Sequence, residues 1–139
     1  MSKKESLEAL YVDSSVLVAL LAPGDRHHRY AVRLARADQR PMVTSSITEV
    51  EIDRALGRRA APASVRGAAR ELLEHCEIVD LTPEIRLRAI EVRPASVRSL
   101  DAIHVATALV AGINRFASFD ARQRIAAEEM GMKLVGGST

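Results

Sequence analysis

Leu10-Tyr11-Val12-Asp13-Ser14-Ser15-Val16-Leu17-Val18-Ala19-Leu20-Leu21, the stretch LYVDSSVLVALL at residues 10–21, holds the transition on which the fold turns. A short apolar run from Leu7 to Val12 predicts a buried strand that stops at Asp13. Ser14 or Ser15 can then cap a helix to about Leu21, and Pro23-Gly24-Asp25 breaks it. A strand that meets a carboxylate and passes into a helix is the opening unit of an α/β sheet.

The alternation continues along the chain. A helix is expected over about His27 to Ala37, then a very short strand at Met42 to Thr44. Ser45 or Ser46 caps a helix to about Arg59, and Ser64 restarts one to about His75. Ile78 to Leu81 is a third strand. Thr82-Pro83-Glu84 combines a cap, a first-turn proline and an acid at the positive end of the helix, which should run to near Arg93-Pro94. Ser99 caps Leu100 to Ala111, closed by Gly112; Phe116 to Ser118 is a strand; Ala121 to Met130 is a helix stopped by Gly131; and Lys133 to Val135 is a fifth strand. Residues 1–6 and the last four residues form polar ends. Such a series predicts a parallel sheet with helices on both faces. No repeat or linker divides it, so residues 1–139 are expected to form one domain with its core over about 8–135.

Bulk properties narrow the class. A chain of 139 residues, 47 % hydrophobic, can bury one core without disulfide or metal staples. Aromatics are 3 %, so Ala, Val, Leu and Ile must fill it. The single cysteine, Cys76, excludes an internal disulfide and is expected to behave as a small buried hydrophobe. Lys3 and Lys4 precede Glu5 and Glu8 rather than an apolar leader, and Val16 to Ala22 is too short to span a bilayer. A soluble cytoplasmic protein with no membrane association is expected. Net charge is +2, from 20 basic and 18 acidic residues. Setting four acids aside in a metal pocket leaves 20 bases against 14 acids, a basic exterior of about +6 around an acidic hole. Arginine strongly outnumbers lysine, which suits phosphate contacts.

Four acids are candidates for that hole. In open parallel sheets, ligands bind beyond the carboxyl ends of the strands. Asp13 and Asp120 stand there, although a helix cap or Asx turn would explain either alone. Asp101 opens Leu100 to Val110, a helix apolar nearly all round; the positive end of the helix dipole would tolerate an acid there, but a charge on so apolar a helix favours a cation to offset its desolvation. On the helix after Ser46, at about 100° per residue, Glu51 falls between Ile47 and Ala55 on the face expected to pack inward, whereas Glu49 falls beside Asp53 on the wetter side. Hard divalent ions prefer such oxygen donors and can activate water toward a phosphodiester.

Other chemistries find less support. His27, His28, His75 and His104 show no zinc-ligand spacing, and His104 suits a hydrogen-bonded core position. Ser14 and Ser15 lack a nucleophile-elbow pattern, and there is no glycine-rich phosphate loop. Ser118 could hydrogen-bond a neighbouring carboxylate or close a turn. Arg29, Arg33, Arg36 and Arg40 form one basic stripe; Arg54, Arg58, Arg59, Arg66 and Arg70 form another. Either could track a phosphate backbone or simply be a solvated face.

The stretches LYVDSS (10–15), TSSITEVEIDRAL (44–56), SLDAIHVATA (99–108) and ASFD (117–120) together resemble the PIN-domain nucleases, and most of all the VapC-type toxins of bacterial toxin–antitoxin pairs. The resemblance implies a three-layer α/β/α fold around a five-stranded parallel sheet and an endoribonuclease dependent on Mg²⁺ or Mn²⁺. It maps the family's acids onto Asp13, Glu51, Asp101 and Asp120, with Asp13, Asp101 and Asp120 toward metal. It also implies a homodimer held in check by a small cognate antitoxin. Arg29, Arg33, Arg36 and Arg58 are then the expected RNA contacts. A housekeeping RNA-processing nuclease, a PIN fold that binds without cutting, and a receiver-like phospho-acceptor domain are the rival readings. The last is disfavoured because Asp13 has no acidic neighbour.

Overall fold

The computed structural model describes residues 9–37 and 41–136. The expectations for the polar start, the beginning of the first strand at Leu7, Arg40 and the end of the tail fall outside the described residues. Five strands, β1 (Leu10–Val12), β2 (Met42–Ser45), β3 (Glu77–Val79), β4 (Arg115–Ala117) and β5 (Lys133–Leu134), form one parallel sheet in the order β3-β2-β1-β4-β5. Seven helices connect the strands among the described residues: α1 (Ser14–Leu21), α2 (His28–Ala37), α3 (Ser46–Arg58), α4 (Ala63–Glu74), α5 (Pro83–Ile90), α6 (Ser99–Val110) and α7 (Ala121–Glu129). This is the three-layer α/β/α fold with five parallel strands that the sequence predicts.

Side-chain alternation along β1 divides the core in two. Leu10 and Val12 join Val16, Leu17, Ile52, Leu56, Ala69 and Cys76 on the side of α1, α3 and α4. Tyr11 points the other way, into Ile85, Val105, Ala106, Phe116 and Ala126 beneath α5, α6 and α7. Tyr11 stacks on Phe116 with ring centroids 5.1 Å apart, so two of the chain's few aromatics fill one spot. Cys76 is a free, buried thiol, and burial pushes it up to about 11. No helix among the described residues is long and apolar enough to cross a membrane.

The chain runs outward from β1 through β2 to β3, then returns to the opposite edge of β1 as β4. The order of connection therefore reverses between β1 and β4, the place beyond whose strand carboxyl ends open α/β sheets bind ligands. This order differs from the 2-1-3-4-5 of receiver-like sheets, which removes that rival.

Several boundaries move for local reasons. The cap of α1 is Asp13, whose carboxylate accepts the Val16 N–H, rather than Ser14 or Ser15. β3 ends at Val79 instead of reaching Leu81, because its partner β2 ends opposite it at Ser45, where α3 begins. α5 ends at Ile90, short of Arg93, as the Glu91 N–H turns back to carbonyls of the last turn. α6 starts at Ser99 with Arg98 in the cap position and no side-chain cap. Gly112 and Gly131 follow α6 and α7 with φ of 74° and 85°, the left-handed conformation that closes a helix.

Candidate active site

Asp13 directly follows β1 and is 1 % exposed. Its Oδ1 accepts hydrogen bonds from the Ser15 hydroxyl (2.6 Å) and the Val16 N–H (3.3 Å); its Oδ2 accepts from the Ser118 hydroxyl (2.6 Å). Each serine is itself held from the β4–α7 junction. The Phe119 N–H donates to Ser15 Oγ (2.9 Å), and the Asp120 N–H donates to Ser118 Oγ (3.0 Å). Two strand ends are thus tied around one buried carboxylate. Ser118 fills both roles open to it: it donates to the Asp13 carboxylate and closes a turn by accepting the Asp120 N–H two residues on. The ring of His27, just before α2, stacks on Phe119 at 4.5 Å and covers this junction.

Asp120 caps α7, its Oδ1 accepting from the N–H groups of Arg122 (2.9 Å) and Gln123 (3.4 Å). It is exposed. Asp101, in the first turn of α6, is 9 % exposed, and its Oδ1 accepts from the Gln123 side-chain amide at 2.9 Å. Gln123 has no distinguishing mark in sequence and was not anticipated; burial of its side chain on α7 is a tertiary fact. Its Oε1 is buried and has no partner among the described residues.

Glu51 lies on the half-buried flank of α3. The buried stripe of that helix is Thr48, Ile52 and Leu56, so the wheel's inward face is displaced: Glu51 borders the core instead of entering it. Glu49 is exposed beside Asp53, Arg66 and Arg70, as its placement on the wetter side predicts. Glu51 Oε1 lies 2.6 Å from Nε2 of His104, which is completely buried, and His104 Nδ1 lies 2.6 Å from the Tyr11 hydroxyl. A groove of about 360 Å³ runs beside Glu51, lined by Ser14, Ser15, Val18, Arg54 and Arg58 among others. Arg29, Arg33 and Arg36 are exposed along α2 and do not line it.

Electrostatics sets Asp13 and Asp101 apart from surface carboxylates. Burial pushes the Asp13 carboxyl above its ordinary value, against the lowering effects of His104 and the Ser118, Ser15 and Val16 hydrogen bonds. Burial likewise raises Asp101; Gln123 and His104 oppose the rise, while the charges of Asp120 and Glu51 add to it. Asp120 and Glu51 are therefore each within electrostatic reach of Asp101. Among the described residues the ion pairs of lysine or arginine are Arg59–Asp25, Arg66–Asp53 and Arg88–Glu91, so none neutralises Asp13, Asp101 or Asp120.

Second oxygens of Asp101, Asp120 and Glu51 take no hydrogen bond from the described residues. Such a donor set suits a hard divalent cation. The acids do not close around one point: no three His, Cys, Asp or Glu side chains among the described residues are grouped to hold one ion. A magnesium-type ion keeps several waters and needs only one or two carboxylates directly, so it does not require a closed cage of side chains.

The family model for the PIN domain matches residues 10–129. The chain is 32 % identical to the ribonuclease VapC46 of Mycobacterium tuberculosis over 134 residues, covering 95 % of this chain and all of that protein. It is 31 % identical to the ribonuclease VapC35 of the same species, over 91 % of this chain and 95 % of the relative. Its structure is similar to that of M. tuberculosis VapC20, a toxin that cleaves the sarcin–ricin loop, with a TM-score of 0.73 and 27 % identity over 84 % of this chain and 94 % of that one.

Proposed function

The chain belongs to the PIN-domain family, and from that premise we propose that Asp13, Glu51, Asp101 and Asp120 are the working groups of its metal-dependent ribonuclease site. The protein is an endoribonuclease of the VapC type, the toxin of a toxin–antitoxin pair. The observation that carries the site is the burial of Asp13 and Asp101 with raised carboxyl pKa values and no lysine or arginine partner among the described residues, where a bound cation would offset the cost.

Asp13, Asp101 and Asp120 would hold Mg²⁺ or Mn²⁺, which when bound supplies Lewis acidity toward the scissile phosphate and an activated water. Serines 15 and 118 fix the Asp13 carboxylate so that it cannot rotate away. Gln123 does the same for Asp101. Glu51, held at Oε1 by His104, uses Oε2 to orient the attacking water. In-line attack leaves a 5′-phosphate and a 3′-hydroxyl. Arg58, with Arg54, would hold backbone phosphates in the groove beside Glu51, and Arg29, Arg33 and Arg36 would offer a second basic track.

An antitoxin would inhibit by covering this site. A homodimer is supported by Leu87 and Ile90, which leave 57 % and 77 % of their surfaces exposed on α5. One domain over 1–139 and a cytoplasmic location complete the proposal. The test is cleavage of total RNA by pure protein, with mapping of the new 5′ ends. Activity should require Mg²⁺ or Mn²⁺, vanish with chelator and be lost in Asp101→Asn. Undiminished cutting by that variant would reject the site.

A further inference from the structure

A buried polar chain reaches Glu51 from the opposite core. Tyr11 and His104 are both 0 % exposed. The Tyr11 hydroxyl lies 2.6 Å from His104 Nδ1, and His104 Nε2 lies 2.6 Å from Glu51 Oε1. Stacking on Phe116 and an edge contact with His104 at 5.9 Å hold the Tyr11 ring in place.

At such distances each contact needs one hydrogen between its two electronegative atoms, since facing lone pairs would repel. A phenol has one hydrogen to give, and a neutral imidazole has one. If Tyr11 donates to Nδ1, the imidazole hydrogen stands on Nε2 and is donated to Glu51, and both contacts are satisfied. If a neutral ring carries its hydrogen on Nδ1, Nε2 and Oε1 meet without one unless the glutamate is protonated; an imidazolium also fills both contacts, but only if the phenol turns to accept and gives its own hydrogen elsewhere.

We propose that His104 is a positioning residue: Tyr11 fixes it as the Nε2–H tautomer, and that N–H clamps Glu51 Oε1 so that Oε2 stays free for the reaction. The proposal rests on the assignment of Glu51 to the ribonuclease site. A neutral imidazole suits the task because it orients a carboxylate without cancelling its charge, as an arginine would. The bland alternative is a core histidine whose polar atoms are merely satisfied.

Nitrogen-15 spectra of histidine-labelled, metal-free protein at neutral pH test the tautomer without any activity assay. A protonated Nε2 and a pyridine-like Nδ1 at His104 are expected; an Nδ1–H tautomer or an imidazolium overturns the proposal. Function is tested with two amides. The Gln side chain in His104→Gln can place an N–H where Nε2 stood, whereas His104→Asn is too short to reach Glu51. At matched unfolding temperatures, His104→Gln should cleave within about 3-fold of the parent and His104→Asn about 10–100-fold more slowly. Equal losses in both overturn positioning. Glu51→Gln separates the two levels. If it cleaves normally, the assignment of Glu51 fails. If it is inactive while both His104 variants cut alike, only the positioning role fails.

Discussion

The β1–α1 and β4–α7 junctions are built from the same parts: a short strand, an aspartate in extended backbone, and a helix whose first N–H groups that aspartate caps. Asp13 at the first is buried, with both oxygens engaged by serine hydroxyls; Asp120 at the second is exposed, with Oδ1 engaged by backbone N–H groups. A cap alone would be served by the second arrangement. Desolvating a carboxylate adds nothing to capping and raises its pKa, which the serine hydrogen bonds only partly offset, so the first junction carries a cost that a cation can repay. The comparison teaches that capping explains why an aspartate is tolerated at a strand end, while burial identifies the one under another demand.

Replacing each aspartate by asparagine is the sharpest way to break this contrast, since asparagine caps equally well. Asp13→Asn should lower cleavage on the order of 10³-fold, as expected for loss of a principal metal carboxylate. Its metal-free unfolding temperature should stay level or rise, because a buried charge is gone. Asp120→Asn should cost about 10–100-fold in rate, with little change in stability. Equal kinetic losses, or a marked destabilisation by Asp13→Asn, would erase the difference between the junctions.

Ser118 binds the two regions together, donating to Asp13 and accepting from the Asp120 N–H. Ser118→Ala leaves both groups short of a partner and should lower stability by about 1–3 kcal/mol in denaturant titration. A neutral result would mean that the junctions hold independently.

Acid titration reads the same burial. The folded-state pKa values of Asp13 and Asp101 lie above the ordinary 3.8, so between 3.8 and the raised values the folded protein binds more protons than the unfolded chain. Their favourable contribution is complete below 3.8 and is lost as pH rises through the raised values. Metal-free wild type should therefore lose stability relative to Asp13→Asn as pH rises from 3.8 through the raised value, with Mg²⁺ reducing the gap above it. Parallel stability curves for the two proteins would contradict the raised pKa of Asp13.

The smallest effect concerns the groove bordered by Ser14 and Ser15 of the first junction. Arg58→Ala should reduce the salt-dependence slope of RNA affinity by about one, the signature of one lost phosphate contact. An unchanged slope would move the RNA track away from that junction.

Much of the fold was legible because each element carries its own local signal: apolar runs, caps such as Thr82, and glycines such as Gly112 beyond a helix end. The boundaries that moved were those decided by neighbours. β3 stops where β2 stops, which no property of Ile78 to Leu81 reveals. Asp13 and Asp101 could be singled out because a charge at a strand end, or on an otherwise apolar helix, demands an explanation. Gln123 and the partners of His104 could not, because their significance depends on which helices lie together.

Residue order alone determined the alternation of strands and helices, the parallel sheet they require and the few acids placed where a charge is costly, since all of these follow from hydrophobic period and backbone preference within a short window. Only the tertiary structure decided that the order of connection reverses between β1 and β4, that Ser118 reaches back 105 residues to Asp13, and that Tyr11 and Glu51 meet through His104. The physical reason is range. Propensity acts over a few residues, whereas desolvation and hydrogen-bond satisfaction are properties of whichever atoms packing brings together.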